Sequence, residues 1–295
     1  MTQILPRRAA LGEAASPNQD TDRRGDLAAL YHEHSKLHAL PGQQVASTDM
    51  YSSAEIAAMS RGHKRYRRAP VTPLPTDPPL AHREFAELVA RRRTVRHFGD
   101  QPLECASLAA VLQLTYGITG SVSGQGHTQP LRAAPSAGGL YPGELYLGIR
   151  SVTGIAPGLY HYQVIGHELE LLRAGDLTDE YYRVCCQQDG ARTAAVILFI
   201  GAVVERTRRK YGLRGYRYAL LDIGHLAQNF SLACTALDLA AMTTCGFYDD
   251  DVNSLLRLDG VDETIMYVGF FGTRAEGPAP PPPSRQTFMR AEYGS

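Results

Sequence analysis

Hydrophobic residues recur with helical spacing through the first part of the chain. This spacing predicts helices over residues 26–40, 82–92 and 103–117, the last ending at Gly117. A shorter helix is expected at residues 52–61, where serines precede the first apolar positions. These helices come before the strand-rich part of the chain.

The pattern changes to short strand-like segments in the middle of the chain, predicted at residues 144–150, 158–164 and 167–173. A continuously apolar run at 194–204 is typical of a strand buried on both faces. Residues 218–239 are apolar nearly all round, which predicts a buried central helix. The helix is expected to lie against the sheet that the strands form.

The remaining segments complete the element order. An acidic first turn predicts a short helix at 249–260, and 264–271 is expected to be the last strand. Residues 123–130, which are polar and glycine-rich, and the basic segment 206–217 are predicted to be loops. Helices followed by mixed strands and helices indicate an α+β domain with one mixed sheet around a buried helix.

Composition at the two ends of the chain predicts its domain organisation. Residues 1–25 are polar and expected to be disordered, and residues 276–295 form a proline-rich tail. Residues 26–80 are expected to be a helical arm that ends in a stiff proline-rich linker without secondary structure. The compact domain is predicted at residues 81–275.

Charge and cysteine content narrow the function classes. Thirty basic residues balance 30 acidic ones, and the isoelectric point is about 7.1, which argues against a general nucleic-acid binder. No apolar run is long enough for a membrane span, and no secretory signal is expected at the N-terminus. The five cysteines form no CxxC pair, which favours reduced thiols in the cytoplasm over disulfides or a metal site.

Two segments are candidates for binding an anion or a flat ring. Four arginines fall within the six positions 91–96, where they are either a solvated helix end or, with Thr94, a phosphate clamp. The segment PSAGGLYP at 135–142 is either a tight loop before a strand or a place where backbone N–H groups approach a ligand closely. The sequence pattern leaves both alternatives open in each case.

A third candidate is Lys210 with Tyr211, within a run of basic residues. One interpretation is an exposed basic loop that binds phosphate or an acidic peptide. The other is catalysis, because positive neighbours such as Arg206 and Arg214 favour a neutral lysine amine that accepts a proton.

Four segments together resemble the flavin-dependent nitroreductase superfamily, and more narrowly its SagB-type, McbC-like azoline oxidases. They are RRRTVRHF at 91–98, PSAGGLYPGELY at 135–146, RRKYGLRGYRYALLDIGHLAQN at 208–229 and CGFYDDDVNSLLRLDGVDE at 245–263. The segment YHEHSK at 31–36 also resembles the N-terminal arm of that branch. The resemblance covers about residues 26–275.

The resemblance implies a nitroreductase-like α+β fold and a homodimer with two FMN sites at its interface. The residues that match the part of the motif holding the phosphate and ribityl chain are Arg92, Arg93, Thr94, Arg96 and, after the last strand, Arg274. Those that match the loop packing on the flavin ring, usually from the partner subunit, are Pro135, Ser136, Gly138 and Gly139. Those that match the loop beside the reactive edge of the ring are Cys245, Gly246 and Phe247. Ser136 is expected to hydrogen-bond a ring edge.

The Lys-Tyr pair, matched by Lys210 and Tyr211, distinguishes the azoline oxidases from other nitroreductases. The resemblance therefore implies oxidation of a peptide thiazoline or oxazoline to an azole. A hydride passes to flavin N5, a proton to Lys210 with Tyr211, and oxygen is the terminal acceptor. A cyclodehydratase complex is an expected partner. The alternatives are a related flavoenzyme acting on a carrier-bound intermediate or a small nitro or quinone compound, and a flavin-free scaffold subunit.

Overall fold

The computed structural model describes residues 26–37, 52, 55, 58, 59, 62–77, 83–124 and 127–275. The predicted disordered N-terminus at 1–25, the proline-rich tail at 276–295 and most of the short helix expected at 52–61 lie outside these residues. Described residues up to 37 belong to one compact unit, and those from 52 onward belong to another.

In the described part of the first unit, the helix α1 spans Leu27–His34. The Asp26 side chain caps it, accepting hydrogen bonds from the N–H groups of Ala28 at 3.0 Å and Ala29 at 3.2 Å. The prediction of a helix here is confirmed, although the helix is shorter than the expected 26–40.

The second unit contains helices and strands in the order that the sequence predicts for an α+β domain. From residue 83 to residue 275, its described helices are α2 Phe85–Arg91, α3 Cys105–Tyr116, α4 Thr178–Val184, α5 Gly190–Thr193, α6 Glu205–Tyr211, α7 Arg214–Ala236 and α8 Asp249–Leu256. Its strands are β1 Val71–Pro73, β2 Ile118–Gly124, β3 His127–Arg132, β4 Gly143–Ile149, β5 Gly158–Gln163, β6 Glu168–Ala174, β7 Val196–Val203, β8 Ala240–Thr244 and β9 Glu263–Gly272.

Seven strands form one sheet in the order β1-β6-β5-β4-β7-β9-β8. Every pairing described in this sheet is antiparallel, so the expectation of a mixed sheet is wrong. Strand β7 lies in the interior of the sheet and is buried along almost its whole length, as its continuous apolar run predicts. Cores form on both faces, with α3 and α7 on one and α4, α5 and α8 on the other.

The segment predicted as a linker contributes the edge strand β1. Val71–Pro73 pair with Glu168–Glu170 of β6, and the N–H of Leu171 donates to the carbonyl of Pro70 at 2.8 Å. The expectation of a linker without secondary structure is therefore wrong. Proline is compatible with an edge strand because one side of that strand needs no ladder hydrogen bonds.

A two-stranded hairpin, β2 with β3, stands where a polar loop was expected. Its side chains lack an apolar alternation because much of the hairpin is solvent-exposed, as at Ser121, Val122 and Ser123. A hydrophobic pattern therefore gave no signal for these strands.

The central helix α7 is buried on one face only. Ile223, Leu226 and Phe230 lie in the core, whereas Leu220 and Leu221 are 46% and 59% exposed. The expectation of a helix buried all round is wrong in this respect, because an apolar sequence does not show what covers each face. Although α7 has 23 residues, neither it nor any other described helix is apolar enough to cross a bilayer.

Candidate functional site

The PSAGG loop brings its first glycine against the Lys-Tyr pair. Gly138 and Gly139 have φ angles of 62° and 65°, in the left-handed region that favours glycine. A Cβ atom added at Gly138 would lie 2.6 Å from the Tyr211 hydroxyl and 3.2 Å from Lys210 Nζ. The fold therefore places two segments together that are about seventy residues apart in the sequence.

Lys210 and Tyr211 form the last turn of α6, a segment that was expected to be a loop. The helix ends at Gly212, whose φ angle is 56°, and α7 begins two residues later. The Tyr211 ring packs edge-on against Tyr218 of α7, with 4.9 Å between centroids and 87° between planes. Lys210 Nζ lies 5.5 Å from the centroid of the Tyr211 ring. The pair therefore lies on a helix rather than on a basic loop, and its tyrosine packs against a second helix.

Ser136 and Asp222 fix the loop to α7. The Ser136 hydroxyl donates to Asp222 Oδ2 and accepts a hydrogen bond from the Tyr141 N–H at 2.9 Å. Burial raises the pKa of Asp222, against the opposing effect of hydrogen bonds from Ser136 and the Ala137 backbone. Because the hydroxyl proton is used on Asp222, Ser136 has only acceptor capacity left for a ring edge. Sequence reasoning did not identify Asp222 as the anchor of this loop.

A buried row of charges connects α6 to the sheet. Arg206 lies 2.5 Å from Glu144 and also donates to the Tyr141 carbonyl at 2.9 Å. His161 Nε2 lies 3.0 Å from Glu144, and its Nδ1 lies 2.8 Å from Glu170. Both ring nitrogens of His161 face carboxylates, and a neutral imidazole has only one N–H, so this geometry requires the imidazolium form.

The electrostatics of the row agree with this assignment. Burial alone would lower the pKa of His161, but hydrogen bonds to Glu144 and Glu170 outweigh it and raise the pKa. Burial likewise opposes ionisation of Glu144, yet Arg206 and His161 lower its pKa to about 2. The positive charge of Arg206 is paired with the carboxylate of Glu144.

Two of the predicted phosphate-binding arginines lie together beyond the other end of the sheet. Arg93 and Arg274 line one small cleft with Arg91 and Asp238. Arg274 donates to the Leu239 carbonyl at 3.3 Å, and Arg93 donates to the carbonyls of Ala90 and Arg92 at the end of α2. Arg92 is the C-cap residue of α2, and Thr94 is exposed beside it.

A larger cavity of about 860 Å³ lies near this cleft and is lined by Arg96, His97, Gln188 and Met242 among others. Gln188 donates to the Gly246 carbonyl at 2.5 Å, which brings the Cys245–Gly246–Phe247 loop to the rim of the cavity. Cys245 is exposed, whereas the Phe247 side chain is buried in the core. Gly246 therefore contacts the cavity-lining residue Gln188 through its backbone carbonyl, whereas the Phe247 ring packs in the core.

The two groups of predicted site residues stand at opposite ends of the central strands. Gly143, which follows the PSAGG loop, pairs with Ala202 near the end of β7. The start of β7 at Val196 pairs with Phe271, just before Arg274. At about 3.3 Å per residue, the eight residues of β7 separate the groups by roughly 25 Å.

Comparison with known proteins assigns this fold. Residues 89–273, more than half of the chain, match the family model described as Nitroreductase family. The chain belongs to the nitroreductase family. Members of this family generally bind FMN, and the predicted nitroreductase-like α+β class is confirmed.

Among the relatives of this nitroreductase-family chain, MJ1384 of Methanocaldococcus jannaschii carries a nitroreductase name. It is 31% identical over 192 residues, which cover 65% of this chain and 93% of MJ1384. The microcin B17-processing protein McbC of Escherichia coli is 30% identical over 147 residues, which cover 48% of this chain and 54% of McbC. The trifolitoxin-processing protein TfxB of Rhizobium leguminosarum bv. trifolii is 27% identical over 246 residues, which cover 78% of this chain and 65% of TfxB. The chain thus spans less than two thirds of either processing protein.

Two solved structures share the fold of this nitroreductase-family chain. A crystal structure from Anabaena variabilis, titled as a nitroreductase, superposes with a TM-score of 0.66 at 24% identity, covering 92% of this chain and 52% of that chain. A chain of the E. coli microcin synthetase McbBCD complex, with truncated pro-MccB17 bound, gives a TM-score of 0.53 at 22% identity. That match covers 90% of this chain and 85% of the other. At these identities the likeness establishes the fold alone.

Proposed function

We propose that this protein is an FMN-dependent oxidoreductase that converts thiazoline or oxazoline rings of a peptide into azoles. The observation that carries the proposal is the contact of Gly138 with Lys210 and Tyr211, because it joins the ring-packing loop to a potential proton acceptor. Similarity to the microcin B17-processing and trifolitoxin-processing proteins supports a peptide natural product as the context.

The residues present suit FMN. Arg93 and Arg274 in one cleft offer guanidinium groups for a phosphate, and Arg96 lines the adjoining cavity. At the other end of the sheet, Gly138 and Gly139 leave the loop surface without side chains, which permits close approach of a flat ring. When bound, FMN supplies the acceptor for the hydride that the azoline ring loses.

Lys210 and Tyr211 accept the proton that the azoline ring loses from the carbon next to the one that loses the hydride. Tyr218 holds the Tyr211 ring in place, and the Gly138 backbone limits where its hydroxyl can lie. The buried row from Arg206 to Glu170 fixes the preceding turn of α6. An amine and a phenol held side by side can accept and relay one proton without large motion.

The distance between the two groups of residues supports a homodimer as part of this proposal. The arginine cleft and the PSAGG loop of one subunit lie roughly 25 Å apart, so one subunit alone does not surround an FMN from phosphate to ring. The exposed apolar face of α7, with Leu213, Leu220 and Leu221, offers a surface for a second copy. The partner's loop then covers a flavin held by the arginines of the first subunit. A cyclodehydratase that makes the azoline is a further proposed partner.

Mass spectrometry of an azoline-containing peptide tests the proposal, because ring oxidation removes two hydrogens. The purified protein is expected to be yellow and to lower the peptide mass by two units for each ring oxidised. Lys210→Ala is expected to retain flavin and lose oxidation, whereas Arg209→Ala, its exposed neighbour, serves as the matched control. Flavin-loaded protein that leaves the peptide mass unchanged would overturn the proposed reaction.

A second candidate is a nitroreductase-like activity on a carrier-bound intermediate or a small nitro or quinone compound. Similarity to MJ1384 favours it, because that match covers nearly all of a relative with a nitroreductase name. Rapid bleaching of the flavin by NAD(P)H with nitroarene turnover would support this candidate. A colourless protein that takes up no FMN would instead support the scaffold hypothesis.

A further inference from the structure

A basic stretch before β1, containing Arg65, Arg67 and Arg68, borders a groove on the sheet face that carries α8. The groove, of about 620 Å³, lies between residues 65–70, the end of β6 and the end of α8. Leucines such as Leu159, Leu172 and Leu255 line it together with arginines from all three segments. We call it the Arg-Leu groove.

The positive charge of the Arg-Leu groove exceeds the negative charge around it. Arg65 lies 3.7 Å from Glu168 and 3.9 Å from Glu170, and Arg173 pairs with Glu180 at 2.6 Å. The other groove arginines, Arg67, Arg68 and Arg257, make no ion pair with the part of the chain that the structure describes. All three are exposed. An excess of guanidinium groups over a leucine floor suits a ligand with carboxylates and aliphatic side chains.

The backbone that carries these arginines is held firmly. The Tyr66 N–H donates to buried Glu170 at 3.0 Å, the Ala69 N–H donates to the Tyr66 carbonyl at 2.9 Å, and β1 continues the chain into the sheet. Lys64 pairs with Glu263 at 2.5 Å at the start of the segment. The groove is thus part of the folded sheet edge rather than a surface formed by a free linker.

We propose that the Arg-Leu groove binds a segment of the peptide substrate in which acidic residues alternate with aliphatic ones. This inference rests on the proposed function, because the occupant is the peptide that carries the azoline. The leucine floor favours a peptide over free phosphate or nucleic acid, which would bind the arginines and leave the apolar surface uncovered. The balanced net charge of the whole chain makes this local excess of arginine distinctive.

The Arg-Leu groove lies at a distance from the PSAGG loop, so the peptide would bind the groove at a different segment from the one that reacts. Leu159 pairs opposite Gly148, near the end of β4, whereas the PSAGG loop precedes Gly143 at its beginning. Five residues of extended strand span roughly 16 Å. Within one subunit, the acidic segment therefore lies at least about five residues from the ring that reacts.

Fluorescence anisotropy with labelled synthetic dodecapeptides tests this docking site. The probe alternates glutamate with leucine, and the comparison peptides replace glutamate by glutamine or leucine by serine. We expect the Glu-Leu peptide to bind and each comparison peptide to bind at least about tenfold more weakly. Arg68→Glu with Arg257→Glu is expected to weaken binding by about tenfold or more, with unchanged flavin content and melting temperature. Arg183→Glu, an exposed arginine of α4 outside the groove, is the matched control.

The outcomes separate this proposal from the proposed reaction. Tight binding to the Glu-Leu peptide that the groove variant does not weaken would overturn the docking site, as would equal binding of the glutamine peptide. Preferential binding of a labelled oligonucleotide or of ATP would also overturn it. Peptide binding that depends on the groove, in a protein that does not oxidise an azoline, would support the docking site and contradict only the reaction.

Discussion

Substituting Gly138 by alanine tests the contact on which the candidate site depends. The new Cβ would meet the Tyr211 hydroxyl at 2.6 Å, whereas ordinary van der Waals contact begins near 3.4 Å. The hydroxyl must therefore move by roughly 0.8 Å, or the loop must move away from α6 by a similar amount. Lys210 Nζ, at 3.2 Å from the same Cβ, is also displaced slightly.

The added methyl group is expected to lower both the stability of the fold and the rate of oxidation. Alanine at a φ angle of 62° costs roughly 1–2 kcal/mol of folding free energy, because the left-handed region crowds Cβ. For a domain of this size, that corresponds to a fall in melting temperature of about 2–4 °C per kcal/mol. Displacement of a proton-accepting group by nearly 1 Å can reduce the oxidation rate by up to about a hundredfold.

The matched control is Gly154→Ala, in the turn that follows β4. Gly154 has a φ angle of 78°, and a Cβ there would meet nothing within 4 Å. It therefore shares the backbone strain and lacks the contact with Tyr211. Azoline oxidation followed by mass, thermal melting and flavin absorbance should show similar stability losses for the two variants, with a loss of rate in Gly138→Ala alone.

Equal oxidation rates in the two variants would refute the reasoning, because the contact would then have no influence on Tyr211 or Lys210. Loss of flavin from Gly138→Ala would show that the added methyl group disturbs packing of the loop on the cofactor, and the lower rate would then not be due to displacement of Tyr211 or Lys210. Stability unchanged in both variants would contradict the strain assigned to the left-handed backbone.

Three further predictions concern the arginine cleft, the anchor of the PSAGG loop and the buried row of charges. Arg274→Ala is expected to weaken FMN binding by about ten- to a hundredfold, because one charge-assisted contact with the phosphate is lost. Flavin fluorescence measures the affinity, and the affinity of the variant should also depend less on salt concentration. Asp222→Ala should lower the free energy of unfolding in urea by roughly 1–3 kcal/mol, because it leaves the Ser136 hydroxyl without its acceptor, and Asp222→Asn should recover part of that loss. Folding raises the pKa of His161, so protonated His161 makes its full contribution to stability at pH values below 6.5, the ordinary pKa of histidine. This contribution should be lost as the pH rises through the raised pKa. The lowered pKa of Glu144 acts in the opposite direction, so its contribution should be present above 4.5 and lost as pH falls towards about 2. His161→Gln should remove the alkaline part of this dependence in urea titrations, and an unchanged profile would contradict the imidazolium assignment.

Sequence patterns predicted the elements whose residues are buried on a defined face. The apolar run at 194–204 became β7, and Gly117 ended α3 as expected, because burial and capping leave local signals. The hairpin of β2 and β3 left no such signal, since its strands are largely exposed. The edge strand β1 was not predicted because its segment is rich in proline, a composition typical of a linker. Proline is nevertheless compatible with an edge strand.

The family motifs named the candidate site residues, but they carried no information about the contacts that support them. Lys210 and Tyr211 were identified with a loop, because Gly212 and Gly215 obscured the short helix that carries them. Glu144 and His161 lie in two strands whose sequences contain no motif that marks these residues. Their pairing depends on the register between the two strands. Local spacing therefore could not show that these two side chains meet.

The roughly 25 Å between the arginine cleft and the PSAGG loop has a genetic consequence if each flavin is shared by two subunits. A homodimer lacking Arg274 binds FMN weakly and is inactive when FMN is limiting, and a homodimer lacking Lys210 does not oxidise the azoline. Paired with each other, they form one site with both defects and one site with neither. Random mixing of the two inactive proteins should then restore roughly a quarter of the wild-type sites. Mixing the two variants at limiting FMN would thus produce activity that neither variant has alone, and only if their subunits exchange.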